Sequence, residues 1–157
     1  MTRLRGRARR GRRLHASAPV GHWHTTTMIS SIRLDGSTAC LAIEGPTDTE
    51  VFRAYVAEIL VPTLRRGDIV VMDNLRPHKN PQTLELIEQA GAEVLFLPAY
   101  SPDLNPIEKM WSKVKNRLRS LAARTVDQLQ TAIASALDEV TANDAAGWFN
   151  SCGYSFI

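Results

Sequence analysis

Two hydrophobic rhythms alternate along the chain, and their order predicts its architecture. Residues 22–34 (HWHTTTMISSIRL) are rich in Thr, Ile and aromatics, and after Asp35-Gly36 the run STACLAIEG follows. Two β-like runs joined by Asp-Gly predict an antiparallel hairpin. From Thr49 to Leu60 (TEVFRAYVAEIL) apolar residues recur at 51, 52, 55, 56, 59 and 60, the stripe of an amphipathic helix. Pro62 is expected to end it. Arg66-Gly67-Asp68 then turns the chain into IVVM, a continuous apolar run that predicts a strand buried on both faces. Residues 81–90 predict a short helix opening with Pro81 and closed by Gly91. EVLFLP, at 93–98, predicts a second buried strand. Strand, helix, strand at this spacing makes a βαβ unit.

The rest of the chain reads as helix. Across 106–121, Ile107, Met110, Trp111, Val114, Leu118 and Leu121 fall on one arc, which assigns Trp111 to the core. Thr125-x-x-Gln128 has the form of a capping box opening a last long helix, with Val126, Leu129, Ile133, Leu137 and Val140 as its apolar stripe. Hairpin, helix, strand, helix, strand, helices is the order of an α/β fold with a sheet of mixed direction. We read it as one domain over 1–157.

Composition narrows the class. A chain of 157 residues, 44% of them hydrophobic, is long enough to bury a continuous core. No apolar run approaches the roughly 18–20 residues that span a bilayer, and none follows the basic N-terminus as a signal peptide requires. Cys40 and Cys152 fit no metal or redox spacing, so a reduced, cytoplasmic compartment is expected. His22 and His24 alternate onto one face without a third ligand nearby, which favours a plain strand face over a metal pair.

Charge is distributed unevenly. Arg3, Arg5, Arg7, Arg9, Arg10, Arg12 and Arg13 crowd the first 13 residues, with no acid among them. Without those seven the formal net charge of +3 becomes −4. Such an Arg/Gly-rich arm suits a phosphate backbone and reads equally as a solvated tail.

Two carboxylates stand where chemistry is commonly found. Asp73 directly follows IVVM, and ligands of open α/β sheets gather beyond the carboxyl ends of strands. The alternative is that Asp73-Asn74 simply makes the turn. Glu108 is at the third position of its helix, behind Asn105 as N-cap and Pro106 at the first position, so a capping box would account for it. The helical wheel adds a second consideration. Glu108, Lys115 and Arg119 lie at about 100°, 80° and 120° from Ile107, a carboxylate followed by a basic flank. That suits a metal site beside a polyanion. Two-metal phosphoryl transfer needs separated carboxylates from different elements, usually three. A phosphatase loop of the Asp-x-Asp type is excluded by Leu75.

VMDN (71–74), His78 and above all LPAYSPDLNPIEKMW (97–111) resemble the catalytic core of DDE-superfamily transposases, in particular the mariner-related bacterial insertion-sequence enzymes. The resemblance implies an RNase H-like mixed sheet flanked by helices. It implies that Asp73 is the second catalytic Asp and Glu108 the final Glu, with 34 residues between them, the spacing of that group. Asn74 and His78 would support them, the Arg arm with Lys115 and Arg119 would bind DNA, and Mg²⁺ or Mn²⁺ would be the cofactor. The partners implied are transposon ends and target DNA, with an upstream transposase segment or a second copy, and no membrane.

The departures from the family pattern shape the expectation. The family's first catalytic Asp lies on the first, central strand, upstream of an Arg/Gly-rich loop, and this chain begins inside what resembles that loop. Asp35 is committed to the hairpin turn and Asp48 to opening a helix, so neither replaces it. The helix-turn-helix region that recognises transposon ends is also absent. Arg76-Pro77 stands where smaller residues are expected. The expectation is the downstream part of a transposase, its metal site incomplete and its chain inactive alone. A gap or an irregular join is expected between the hairpin of 22–44 and the βαβ unit of 68–98, bridged only by helix packing; the alternative is that residues 13–20 slide into the vacant place, for which Pro19 makes a poor strand. The alternatives are a non-catalytic nucleic-acid-binding module and a decayed fragment.

Overall fold

The computed structural model describes residues 6–15 and 25–155. Arg3, Arg5, His22 and His24 lie outside them. The predicted hairpin is present as β1 (Thr26–Ile32) and β2 (Thr38–Glu44), paired antiparallel with Ile29 opposite Leu41. Its connection is longer than the Asp-Gly pair. The Arg33 N–H donates to the Ser37 carbonyl and that of Gly36 to Arg33, making a three-residue loop whose last residue, Gly36, takes φ +86°. Asp35 is committed there as expected, its Oδ1 accepting from the Ser37 N–H and hydroxyl.

Both faces of the hairpin are covered. Ile29 and Leu41 pack on one core, built of Phe52, Tyr55, Val56, Leu60, Met72, Ile87 and Ala92. Met28, Ile32 and Ala42 pack on a second, around Met110, Val114, Leu118, Ile133 and Val140. Strand alternation produces this division, since residues one apart point to opposite faces. Tyr55 fixes the first contact by donating its hydroxyl to the Ala39 carbonyl at 2.9 Å. The Gly36 tip lies against the backbone of Thr141 and Ala142, so close that a Cβ would fall 2.6 Å from the Ala142 nitrogen.

The helix expected over 49–60 begins as α1 (Thr49–Tyr55), capped by Asp48, and loosens into a π turn (Val56–Leu60) followed by a 3₁₀ turn (Val61–Thr63). Pro62 therefore does not stop the helical path at Leu60. A proline ring crowds the carbonyl four residues back, and the ladder here widens ahead of it, the Val61 N–H reaching the Val56 carbonyl.

The βαβ unit comprises β3 (Ile69–Met72), α2 (Pro81–Gln89) and β4 (Glu93–Phe96), the strands parallel with Met72 opposite Phe96. Asn80 caps α2 on the Thr83 N–H, ahead of Pro81. Neither strand is buried on both faces, contrary to the expectation from their apolar runs. Val70, Met72, Val94 and Phe96 face the first core, whereas Ile69 is 61% exposed and Leu95 52%. Their outer face has no helix over it among the described residues.

The described strands form two separate two-stranded sheets, β1–β2 and β3–β4. The expected gap is present, but helix packing is not its only bridge. Arg33, just after β1, makes two hydrogen bonds to Asp68, just before β3, at 2.6 and 2.8 Å. The bidentate Arg33 guanidinium holds the Asp68 carboxyl down at about 2. A carboxyl depressed in the folded state stabilises it above the unfolded value near 3.9 and ceases to as pH falls through about 2. Asp68→Asn is therefore expected to lower stability by roughly 1 kcal/mol at neutral pH. The difference in Tm from the wild type should close between about pH 4 and pH 2; a constant difference across that window would show that the clasp is not ionic.

The C-terminal helices are α3 (Pro106–Leu121), α4 (Val126–Asp138) and α5 (Ala142–Ser151). Trp111 packs against the second core as expected, while Leu121 and Val126, at helix ends, are exposed. The last long helix is really two. Val140 is buried in the link between them, and Thr141 and Asp144 form a reciprocal capping box that starts α5. The box at Thr125 is displaced by one residue: Thr125 accepts from the Gln128 N–H, but the Gln128 side chain accepts from that of Arg124. No described helix is long and apolar enough to cross a membrane.

Candidate functional site

Asp73 follows β3 directly, at the carboxyl end of the strand. Its Oδ1 accepts from the Leu75 N–H at 3.2 Å, so the turn-making role is real. The same oxygen lies 2.6 Å from His78 Nδ1. This is a close polar contact rather than an aligned hydrogen bond. His78 belongs to a 3₁₀ turn (Arg76–Lys79), the conformation that Arg76-Pro77 adopts in this loop. Its ring lies on Phe52 of α1, centroids 4.2 Å apart. The histidine side chain is 20% exposed and the aspartate 44%. One carboxylate oxygen is thus held by the loop, and Oδ2 makes no hydrogen bond among the described residues.

Glu108 is at the third position of α3, with Asn105 as N-cap and Pro106 in the first turn, as the sequence predicts. The capping box itself does not form. Asn105 makes no side-chain cap bond, and the backbone carbonyl of Asn105 takes the Glu108 N–H instead. The Glu108 carboxylate is exposed and has no partner among the described residues. A helix start favours negative charge there, but no local hydrogen bond consumes it.

The basic residues of α3 divide into two stripes. Lys113 donates to Asp144 of α5 and to the Glu139 carbonyl, both at 2.6 Å, and holds the Asp144 carboxyl down at about 2. Arg117 pairs with Glu139 at 2.6 Å. These two tie the helices together. On the flank of Glu108, Lys115 is exposed and makes no ion pair among the described residues, where Arg119 bonds the neutral Asn116 and no acid. The arm is similar. Arg7, Arg9, Arg10, Arg12 and Arg13 are exposed and make no ion pair among the described residues, and a turn closes between the Arg12 N–H and the Arg9 carbonyl at 3.0 Å.

The structure therefore joins Asp73 to His78 and leaves Glu108 apart at its helix start. Asn74, beside Asp73, is exposed and makes no side-chain hydrogen bond among the described residues. Among the described residues no group of three or more His, Cys, Asp or Glu side chains is placed to hold a metal ion. The donor chemistry of Asp73 and Glu108, hard carboxylate oxygens open to solvent, nevertheless fits Mg²⁺ or Mn²⁺, which take oxygen ligands and keep waters. Sequence reasoning missed Phe52 as the support of His78 and Lys79, whose Nζ lies 6.0 Å from the Phe96 ring. No spacing rule connects residues 52 and 78, so only the packing of α1 against the turn reveals the first.

Comparison with known proteins gives a consistent picture. The chain is 29% identical over 90 residues to the Transposable element Tcb1 transposase of Caenorhabditis briggsae, covering 55% of this chain and 33% of that protein. It is 32% identical over 66 residues to the Tcb2 transposase of the same organism, 42% of this chain and 24% of that one. A shorter match, 50% identical over 42 residues, joins it to the human Histone-lysine N-methyltransferase SETMAR, 27% of this chain and 6% of that protein. The chain thus spans a third or less of these relatives. A family model described as DDE superfamily endonuclease matches residues 1–130, taking in both the Asp73 strand end and the Glu108 helix start. That match covers most of the chain, and the chain belongs to the DDE superfamily endonuclease family.

Proposed function

We propose that the chain carries the second and final catalytic carboxylates of a DNA transposase, Asp73 and Glu108, and works on phosphodiesters in the presence of Mg²⁺ or Mn²⁺. The observation that carries this reading is the Glu108 carboxylate, left without a cap bond or ion pair at the head of α3. Asp73 supports it, with one oxygen fixed by the loop and the other making no hydrogen bond among the described residues. A divalent cation bound by such oxygens supplies charge that stabilises the attacking and leaving oxygens at phosphorus. His78 orients Asp73 and is itself steadied by Phe52. Lys115, Arg119 and the arm hold the DNA backbone, which positions the substrate without reading its sequence. Strand cleavage and transfer belong to the assembled enzyme, in which a third carboxylate completes the set.

Divalent-metal binding tests the site. Mn²⁺ is expected to bind weakly, since two carboxylates provide fewer ligands than the usual three, and Asp73→Ala and Glu108→Ala are each expected to abolish that binding. Glu108→Gln should keep the Tm of the wild type, because its carboxylate makes no cap, yet lose the metal response. An equal Mn²⁺ response in the wild type and both alanine variants would refute the site.

A further inference from the structure

The loop between β4 and α3 holds a side chain that carboxylate chemistry does not use. Tyr100 is fully exposed, at 101%, with φ at +59°. The left-handed region is costly for a bulky residue and is usually given to glycine or asparagine. Among the described residues nothing offsets that cost, because the ring is fully exposed and its hydroxyl has no hydrogen-bond partner there. Backbone strain that does not serve packing is characteristic of functional positions.

The place of the loop suggests what the ring meets. The Leu97 N–H donates to the Met72 carbonyl at 2.8 Å, so the chain leaves β4 at the same end of the sheet as Asp73. Tyr100 follows within four residues of β4 and precedes Glu108 at the start of α3. Arg76 and Lys79 add positive charge in the turn after Asp73. An aromatic ring with both faces open, on a loop that leaves the sheet at the Asp73 end and leads to Glu108, has the properties of a stacking surface for a nucleobase.

We propose that Tyr100 stacks on an unpaired base beside the phosphodiester that Asp73 and Glu108 address, an inference that rests on the DNA reading above. Stacking tolerates any base, because every base has a π face, so the ring would position a strand without selecting a sequence. The αL backbone projects the ring away from the domain, where a strand end can reach it.

The test uses the full chain and two DNA probes, a blunt duplex and the same duplex with a short single-stranded overhang carrying 2-aminopurine. The wild type is expected to quench the fluorophore, and Tyr100→Phe to quench it equally. Tyr100→Gly should remove the quenching and weaken overhang binding by roughly 5- to 150-fold, with blunt-duplex affinity unchanged. Its Tm should be equal or higher, because glycine takes positive φ without strain. Quenching retained in Tyr100→Gly, or a Tm well below the wild type, would overturn the proposal. So would a wild-type dimer in sedimentation that Tyr100→Gly dissociates, which would assign the ring to a second copy. Normal duplex binding with unaltered overhang binding sinks Tyr100 alone; no binding of either probe by the wild type sinks the DNA reading as well.

Discussion

Supercoiled DNA is expected to survive incubation with the purified chain and Mg²⁺ or Mn²⁺, and to be nicked once a strand ending in Asp is supplied between β1 and β3. Two structural facts lead there. The carboxylates proposed for the site are two, Asp73 and Glu108, and among the described residues no group of three or more His, Cys, Asp or Glu side chains is placed to hold a metal ion. The sheet is also divided: among the described residues β1 pairs only with β2 and β3 only with β4. Arg33 and Asp68 bring the end of β1 next to the start of β3, and among the described residues neither strand has a second strand partner, which we propose marks a slot for one more strand. A strand filling that slot satisfies both edges and delivers its terminal carboxylate beside Asp73. Supplied as a fused segment or as a separate peptide, it should raise Tm as well as activity. In the completed protein, Asp73→Ala and Glu108→Ala should each cost more than the roughly 100-fold that losing an outer support such as His78 costs. Efficient metal-dependent nicking by the 157-residue chain alone would contradict this, and would mean that another carboxylate serves.

The second large effect concerns salt. DNA affinity of the full chain should fall with log salt along a slope steeper by roughly 6 than that of a chain starting at Leu14, if all seven arginines reach phosphates. Over a fourfold rise in salt that slope amounts to a loss of roughly 10³- to 10⁴-fold. The five described arginines of the arm are exposed and have no acidic partner among the described residues, so no ion pair there must be broken before they engage. Binding should depend little on sequence, because phosphate contacts carry register rather than base identity. An unchanged slope after removal of the arm would identify it as a passive tail.

The sequence made the order of elements legible because periodicity and caps are local. The hairpin, the βαβ unit and α3 follow from alternation, Pro81 and the arc of Ile107 to Leu118. What it concealed depends on partners distant in the chain. IVVM and EVLF read as doubly buried because a continuous apolar run usually means cover on both faces, yet here Ile69 and Leu95 face outward. The break that creates α5 was written in Thr141-x-x-Asp144, the same grammar recognised at Thr125, but its alanines and Gly147 give a faint stripe. At the site, Asp73 and Glu108 stand at the strand end and helix start that their neighbours dictate. That Glu108 is not consumed in a capping box could not be read locally, since the residues for one are all present.

Gly36 has a consequence for how this domain comes into being. Its tip rests on the backbone of Thr141 and Ala142, more than a hundred residues later in the chain. The earliest described strands therefore cannot reach their final seat until nearly the last helix has been synthesised. On the ribosome the hairpin can form early, but its tip must wait, undocked, while the rest of the chain emerges. Closure over that distance is a slow, non-local event of the kind that lengthens folding and exposure to aggregation. Any side chain at position 36 would meet backbone rather than a yielding side chain, and would impede that final docking step.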